Sequence, residues 1–218
     1  MNVKGIVFDF DGTLATLNVD FPRMREEVCA CIKAYGIPEE LVTGRYILEM
    51  VEAGVQYLIK QDSERHEAFR REAYGVIKKI ELSAAFEAGP LEGVPEMLWQ
   101  LRERGLKTAV VTRNCFKAVE LTFPQIKRLV DTVLARDHVP AVKPDPHHLL
   151  AALSFLEVQP KEALMVGDHP MDISMGRNVG ATTVGVLTGS GRKDELSIAQ
   201  ADYIIDSASY LTTVLDIL

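Results

Sequence analysis

Cysteine is scarce in this chain, positive charge is in deficit, and no apolar run is long enough to span a bilayer. The three cysteines are Cys29 and Cys31 in C-A-C spacing and Cys115 alone. They form neither a CxxC pair nor a disulfide framework, and a sparse, odd count fits a reducing compartment. Lysine and arginine number 24 against 31 aspartates and glutamates, a formal net charge of −7. That balance argues against a general binder of nucleic acid or anionic membrane, since either needs a basic face. A phosphate substrate stays open, because local charge in a cleft outweighs the total. The first residues carry neither a signal-peptide pattern nor a spanning segment, so the expectation is cytoplasmic. Internal repeats and low-complexity tracts are also missing. What remains is an ordinary soluble composition, 47% hydrophobic and 25% charged over 218 residues. This is enough for one large core, or a core with a smaller inserted domain.

Two textures divide the sequence. From Thr16 to about Ala88 it reads as helix, with apolar stripes at Val28, Ile32 and Tyr35, then Ile47, Met50, Val51, Val55, Leu58 and Ile59, then Phe69, Ala73, Ile77 and Ile80. Gly36-Ile37-Pro38 separates the first helix from the second, and Gln61-Asp62-Ser63 is expected to start the third. Elsewhere short apolar strands alternate with helical patterns. The expected strands are Val3 to Asp9, Leu106 to Thr112, Thr132 to Ala135, Ala163 to Gly167, Thr182 to Val186 and Asp202 to Ile205. Helices are expected over Pro146 to Leu156, Met171 to Val179 and Ser207 to Ile217. Repeated βα units imply an α/β fold, a Rossmann-like doubly wound parallel sheet with right-handed crossovers. The reading assigns 1–15 and 89–218 to this core and 16–88 to a helical insertion.

In such a sheet, ligands bind beyond the carboxyl ends of the strands. The first strand ends in Asp9 and Asp11, the second in Thr112, and "ALMVGDHPMD" supplies Asp168 and Asp172; Lys143 sits in "AVKPDP". Residues i and i+2 of a strand share a face. Two ionised carboxylates about 4 Å apart repel by about 4 kcal/mol at an effective dielectric of about 20. A shared proton, a basic neighbour or a metal ion must offset that. Mg²⁺ suits the set, since it takes carboxylates, waters and a substrate phosphate. Asp9, Asp168 and a backbone carbonyl near Asp11 are candidate ligands. Asp9 is then a candidate nucleophile on phosphorus, and Asp11 a general acid and base. Thr112 and Lys143 can bind phosphate oxygens and balance charge. Gly12 suits close approach of an anion to the main chain.

"DFDGTL", "VVT", the lysine of "VKPDP" and "GDHPMD" resemble, in this order, the four motifs of the haloacid dehalogenase (HAD) superfamily. The likeness to its phosphoglycolate phosphatase-like branch covers nearly the whole chain. The insertion resembles that branch's helical C1 cap, and "GPLEGVPEML" its return into the core. The resemblance implies a Mg²⁺-dependent phosphatase for a small phosphorylated metabolite, working through an aspartyl-phosphate as monomer or homodimer. Nucleic acid and membrane are not implied partners. Carried over by position, Asp9 is the nucleophile and Asp11 the acid/base. Asp9, Asp168 and the main-chain oxygen of Asp11 are metal ligands, and Asp172 orients a water at the metal. Thr112 and Lys143 contact phosphate. Departures touch the substrate rather than the chemistry. Arg113 stands where the family usually has Asn, with Asn114 one later; it is a phosphate-binding candidate or a solvated rim residue. His169 follows Asp168 where Ser or Thr is usual, and Leu17 replaces a polar residue.

Other features receive plainer readings. His147 and His148 are expected on a helix surface, because adjacent helical residues point in different directions. "TGSGRK", Thr188 to Lys193, lacks the phosphate-loop spacing and reads as a connection. "DSERHEAFRRE" reads as the solvated face of an inserted helix, and Cys115 has no assigned role. Asp20, Arg23 and Arg45 are possible substrate contacts. Two other functions compete: a sugar phosphomutase of the β-phosphoglucomutase type, and a non-catalytic interaction module with a Mg²⁺ pocket. The 2-haloacid dehalogenase and phosphonatase branches fit less well. The first lacks the role given to Asp11, and no counterpart of the second's Schiff-base lysine is identified.

Overall fold

The computed structural model describes residues 2–61 and 64–216. They divide into two compact units, 1–18 with 85–218, and 19–84.

The larger unit is built on six parallel strands: β1 (Gly5–Phe8), β2 (Lys107–Val111), β3 (Thr132–Leu134), β4 (Ala163–Gly167), β5 (Thr182–Val186) and β6 (Tyr203–Ile205). Their order in the sheet is β3-β2-β1-β4-β5-β6. β1 lies at the centre, with Phe8 in register with Val110 on one side and Val166 on the other. Because every connection crosses over, helices cover both faces, and the central strands are apolar on both sides. Ile6, Phe8, Val110, Leu164 and Val166 pack with Val94, Met97, Leu98 and Leu101 of helix α4 (Val94–Glu103). Val7, Ala109, Val111 and Met165 face the opposite way, onto Leu149, Ala152, Leu153 and Leu156 of α7 (Pro146–Leu156) and Met175 of α8 (Pro170–Val179). Neighbouring residues of one strand thus serve two cores, as the twofold period of a strand requires.

β1 is shorter than the expected strand. Its ladder stops at Phe8, and Asp11 to Leu14 form a turn closed by the Gly12 N–H to the Ala15 carbonyl at 2.8 Å. Strand alternation therefore does not govern Asp11. The C-terminal helix is also broken, into a 3₁₀ turn over Ala208–Tyr210 and α10 (Leu211–Leu215); Ile217 lies outside the described residues.

The smaller unit contains α1 (Phe21–Ala34), α2 (Ile47–Lys60) and α3 (His66–Ala85), the last running one residue past its boundary; its described residues form no strand. Asp20 caps α1 by accepting the Arg23 N–H at 3.0 Å, with Pro22 in the first turn. Pro suits that position because its missing donor is not needed there. Val28, Ile32, Met50, Val51, Val55, Phe69, Ala73 and Ile77 are buried as their spacing suggests, while Ile59 is exposed. The third helix starts at His66; Asp62 and Ser63 lie outside the described residues. Part of the charged run is spent within the unit: Arg70 pairs with Glu52 at 3.2 Å and Glu72 accepts from Tyr35 at 3.0 Å. Arg23 is likewise paired with Glu27, and Arg45 donates to the Leu41 carbonyl.

The chain leaves and re-enters the larger unit side by side. Thr16 N–H donates to Gly89 O at 2.9 Å and Leu91 N–H to Leu14 O at 2.9 Å, with the Thr16 side chain bonded to both polar groups of Gly89.

Candidate active site

The carboxyl ends of β1, β2 and β4 bring Asp9, Thr112 and Asp168 to one edge. Asp9 follows β1 and donates its N–H to Val166 O at 2.8 Å, which seats it beside the end of β4. Asp168 follows β4 directly, and α8 starts two residues later. His169 is the N-cap of that helix: its Nδ1 accepts from Met171 N–H at 3.1 Å, and Asp172 Oδ2 accepts from His169 N–H at 3.2 Å. A reciprocal capping box results, so the unusual His169 performs a job open to Ser or Thr.

Asp9, Asp168 and Asp172 are all buried, and each offers an oxygen within 4.8 Å of the others. Lys143, only 3% exposed, reaches between two of them, with Nζ 2.5 Å from Asp9 Oδ1 and 2.8 Å from Asp172 Oδ1. Burial alone would lower the Lys143 ammonium, but the Asp172 and Asp9 carboxylates outweigh it and raise it above its ordinary value. Burial, together with Asp9 and Asp172, pushes Asp168 up to about 7. Burial also raises Asp172, against the pull of Lys143. Three carboxylates against one contacting ammonium is a site short of positive charge. Its donors are the carboxylate oxygens a hard divalent cation takes, and such a cation would relieve the raised Asp168. The cluster can therefore hold a metal ion.

The Asp11 carboxylate is not in that cluster. It accepts from Thr112 Oγ1 at 3.4 Å and from Asn114 Nδ2 at 3.3 Å to each oxygen. Asn114 is itself oriented, since its Oδ1 accepts the Cys115 N–H at 2.9 Å and its own N–H donates to Thr112 Oγ1 at 3.0 Å. Asn114 stands one position after the place where the family usually has Asn, yet it reaches Asp11 from there. Arg113 turns elsewhere, donating to the Lys143 carbonyl and lying 3.8 Å from Met171 Sδ.

The "TGSG" segment is more than a connection. Ser190 donates to Asp168 Oδ2 from its N–H at 2.7 Å and from its hydroxyl at 3.1 Å, and Thr188 donates to Gly12 O at 2.6 Å. The loop therefore ties β1's turn to Asp168. Gly12 has φ +83°, and a Cβ there would meet Gly189 Cα at 2.7 Å and Asp168 Oδ2 at 2.9 Å; a Cβ on Gly189 would strike the Asp168 side chain. Both positions exclude a side chain. The close approach made at Gly12 is to this loop and Asp168. Small and hydroxylated residues just after β5 were the only local signal for this contact.

A parallel α/β sheet with buried acids and an ammonium at its carboxyl edge has its polar groups where such folds bind ligands. The haloacid dehalogenase-like hydrolase family matches residues 6–186. N-acetylmuramic acid 6-phosphate phosphatase of Pseudomonas aeruginosa is 32% identical over 228 residues, 99% of this chain and 96% of that one. Pyrophosphatase PpaX of Bacillus mycoides is 36% identical over 126 residues, 57% of this chain and 59% of that one. Among solved structures, a hydrolase from Pseudomonas syringae superposes with a TM-score of 0.68 at 23% identity over 99% of both chains, a likeness of fold. The chain belongs to the haloacid dehalogenase-like hydrolase family.

Proposed function

We propose that the protein hydrolyses a small phosphorylated metabolite, a phosphomonoester, with Mg²⁺ and through an aspartyl-phosphate on Asp9. The observation that carries this reading is the convergence of Asp9, Asp168, Asp172 and Lys143 in one buried cluster, with Asp11 held beside it by Thr112 and Asn114. Lys143 and the Phe10 N–H, at 2.6 Å, both hold the Asp9 carboxylate, as a nucleophile that must meet phosphorus in line needs. Asp9 attacks phosphorus; the bond to the leaving oxygen breaks, and Asp11 gives that oxygen a proton. Asp11 then takes a proton from water, whose oxygen attacks the phosphoryl group and releases Asp9 and inorganic phosphate. Lys143 and Thr112 bind phosphate oxygens, with Gly12 and Arg113 at the same edge.

Asp9, Asp168 and the main-chain oxygen of Asp11 would hold Mg²⁺, with Asp172 alongside. Bound there, the cation supplies Lewis-acid stabilisation of phosphoryl charge and draws an anion into an acidic pocket.

Residues 16–88 are the helical C1 cap in this reading and carry substrate selectivity; the enzyme works in the cytoplasm as monomer or homodimer. No helix among the described residues is long and apolar enough to cross a membrane. Full-length similarity to N-acetylmuramic acid 6-phosphate phosphatase makes amino-sugar and sugar-acid phosphates the first substrates to try. The test is phosphate release from a panel containing these, phosphoglycolate, nucleotides and pyrophosphate, with and without Mg²⁺. Preferential turnover of one phosphomonoester, lost in Asp9→Asn, is expected. Normal turnover by Asp9→Asn would end the nucleophile assignment. Isomerised sugar phosphate without free phosphate would mean a mutase, and tight protein binding without turnover an interaction module.

A further inference from the structure

His147 and His148 open the same helix and have opposite fates. The His147 side chain is 78% exposed and bonds Asp145, as a helix-surface histidine should. His148 is 0% exposed, and each of its ring nitrogens faces a main-chain group. The Lys143 N–H lies 3.1 Å from Nδ1, and the Leu134 carbonyl, at the end of β3, lies 2.9 Å from Nε2. An N–H can only donate and a carbonyl can only accept. Nδ1 must therefore be the bare nitrogen and Nε2 must carry the hydrogen, which defines one tautomer of a neutral ring.

Lys143 needs such support. It sits in the segment between β3 and α7, without a strand or helix ladder of its own. Its ammonium must nevertheless lie between Asp9 and Asp172, at the end of a side chain rich in rotamers. Of its two main-chain polar groups, the N–H goes to His148 and the carbonyl accepts from Arg113 Nη1.

We propose that His148 is the positioning residue for Lys143: its imidazole pins the Lys143 backbone to the end of β3 and so sets where the ammonium meets Asp9. The inference rests on the reading of Lys143 as part of the phosphatase site.

Two variants divide the bonds of the ring between them. In His148→Asn the amide oxygen replaces Nδ1 and keeps an acceptor for the Lys143 N–H, losing the Leu134 bond. In His148→Gln the longer amide replaces Nε2 and keeps a donor to Leu134, losing the Lys143 bond. Both are assayed with p-nitrophenyl phosphate and Mg²⁺ beside the wild type, with thermal unfolding of each. His148→Gln is expected to lose kcat by about 10²-fold, the scale of a small misplacement of a reacting group. KM should change little, since the lost interaction matters mainly in the transition state, and His148→Asn should recover most of the loss. Equal kcat in the two variants, whether normal or impaired, would overturn the proposal, because a merely structural ring would not distinguish them. Nitrogen chemical shifts of histidine-labelled wild type give a second, mutation-free arm. The Nε2–H tautomer of His148 is expected, and an Nδ1–H tautomer would overturn the proposal even if a variant failed to fold. A wild type silent on every phosphomonoester would count against the phosphatase reading instead, while the tautomer would still decide whether His148 holds Lys143.

Discussion

Replacing Lys143 by Met tests how the buried charges are balanced. The ammonium lies 2.5 Å from Asp9 Oδ1 and 2.8 Å from Asp172 Oδ1, and the residue is 3% exposed. At an effective dielectric of about 20 each contact is worth about 6 kcal/mol of Coulomb attraction. Much of that is offset by the desolvation the ammonium no longer suffers. Met is apolar and unbranched, so packing loss should be small. What remains is two buried carboxylates without their counterion, and removing one partner of a buried pair costs about 3–5 kcal/mol. Lys143→Met should therefore lose about that much stability in urea with EDTA at about pH 8, and its kcat should fall by at least about 10²-fold. The stability loss should shrink when Mg²⁺ is added, because the cation restores positive charge. Shrinkage is also expected as pH falls through about 7, where Asp168 takes up a proton and removes one repelling charge. A loss below about 1 kcal/mol in EDTA, typical of exposed ion pairs, would refute the claim that Lys143 balances this cluster.

Mg²⁺ alone should raise the melting temperature of the metal-free protein, by about 2.7 kcal/mol of stability at a hundredfold excess over its Kd. Asp168→Asn should abolish most of that rise, and EDTA should stop turnover. Gly12→Ala must accept φ +83° and a Cβ 2.9 Å from Asp168 Oδ2. A left-handed alanine alone costs about 1–2 kcal/mol, so urea denaturation should show at least that loss, with weaker Mg²⁺ stabilisation. Burial lowers His148 from its ordinary 6.5 to about 4, so the fold holds it neutral. Its contribution is complete above the unfolded value and is lost as pH falls from 6.5 towards 4, about 3 kcal/mol in all. His148→Asn lacks this group, so the stability difference between the two chains should narrow or reverse on acidification; a difference independent of pH would contradict a buried neutral ring.

Fold class is legible in the sequence alone, because alternating apolar runs and helical stripes have few packed solutions. The strand boundaries at Ala163–Gly167 and Thr182–Val186 follow from it directly. The sequence also marks Asp9, Thr112 and Asp168, because parallel strands deliver their C-terminal residues to one edge whatever their order, and Lys143 in the segment that leads into α7. Tertiary structure decided how those residues meet. The order β3-β2-β1-β4-β5-β6 and the register of Phe8 with Val166 set Asp9 beside Asp168, and pairing across 158 residues leaves no local trace. Nor does the contact of Thr188 with Gly12, 176 residues apart, which turned an apparent connection into a wall of the site. His148 makes the same point at short range. Helical geometry separates it from His147 and sets it on the buried face with Leu149, Ala152 and Leu156, but only the end of β3 and the Lys143 segment decide which groups its ring nitrogens meet. Local patterns announce which residues can be buried, and long-range packing chooses which of them touch.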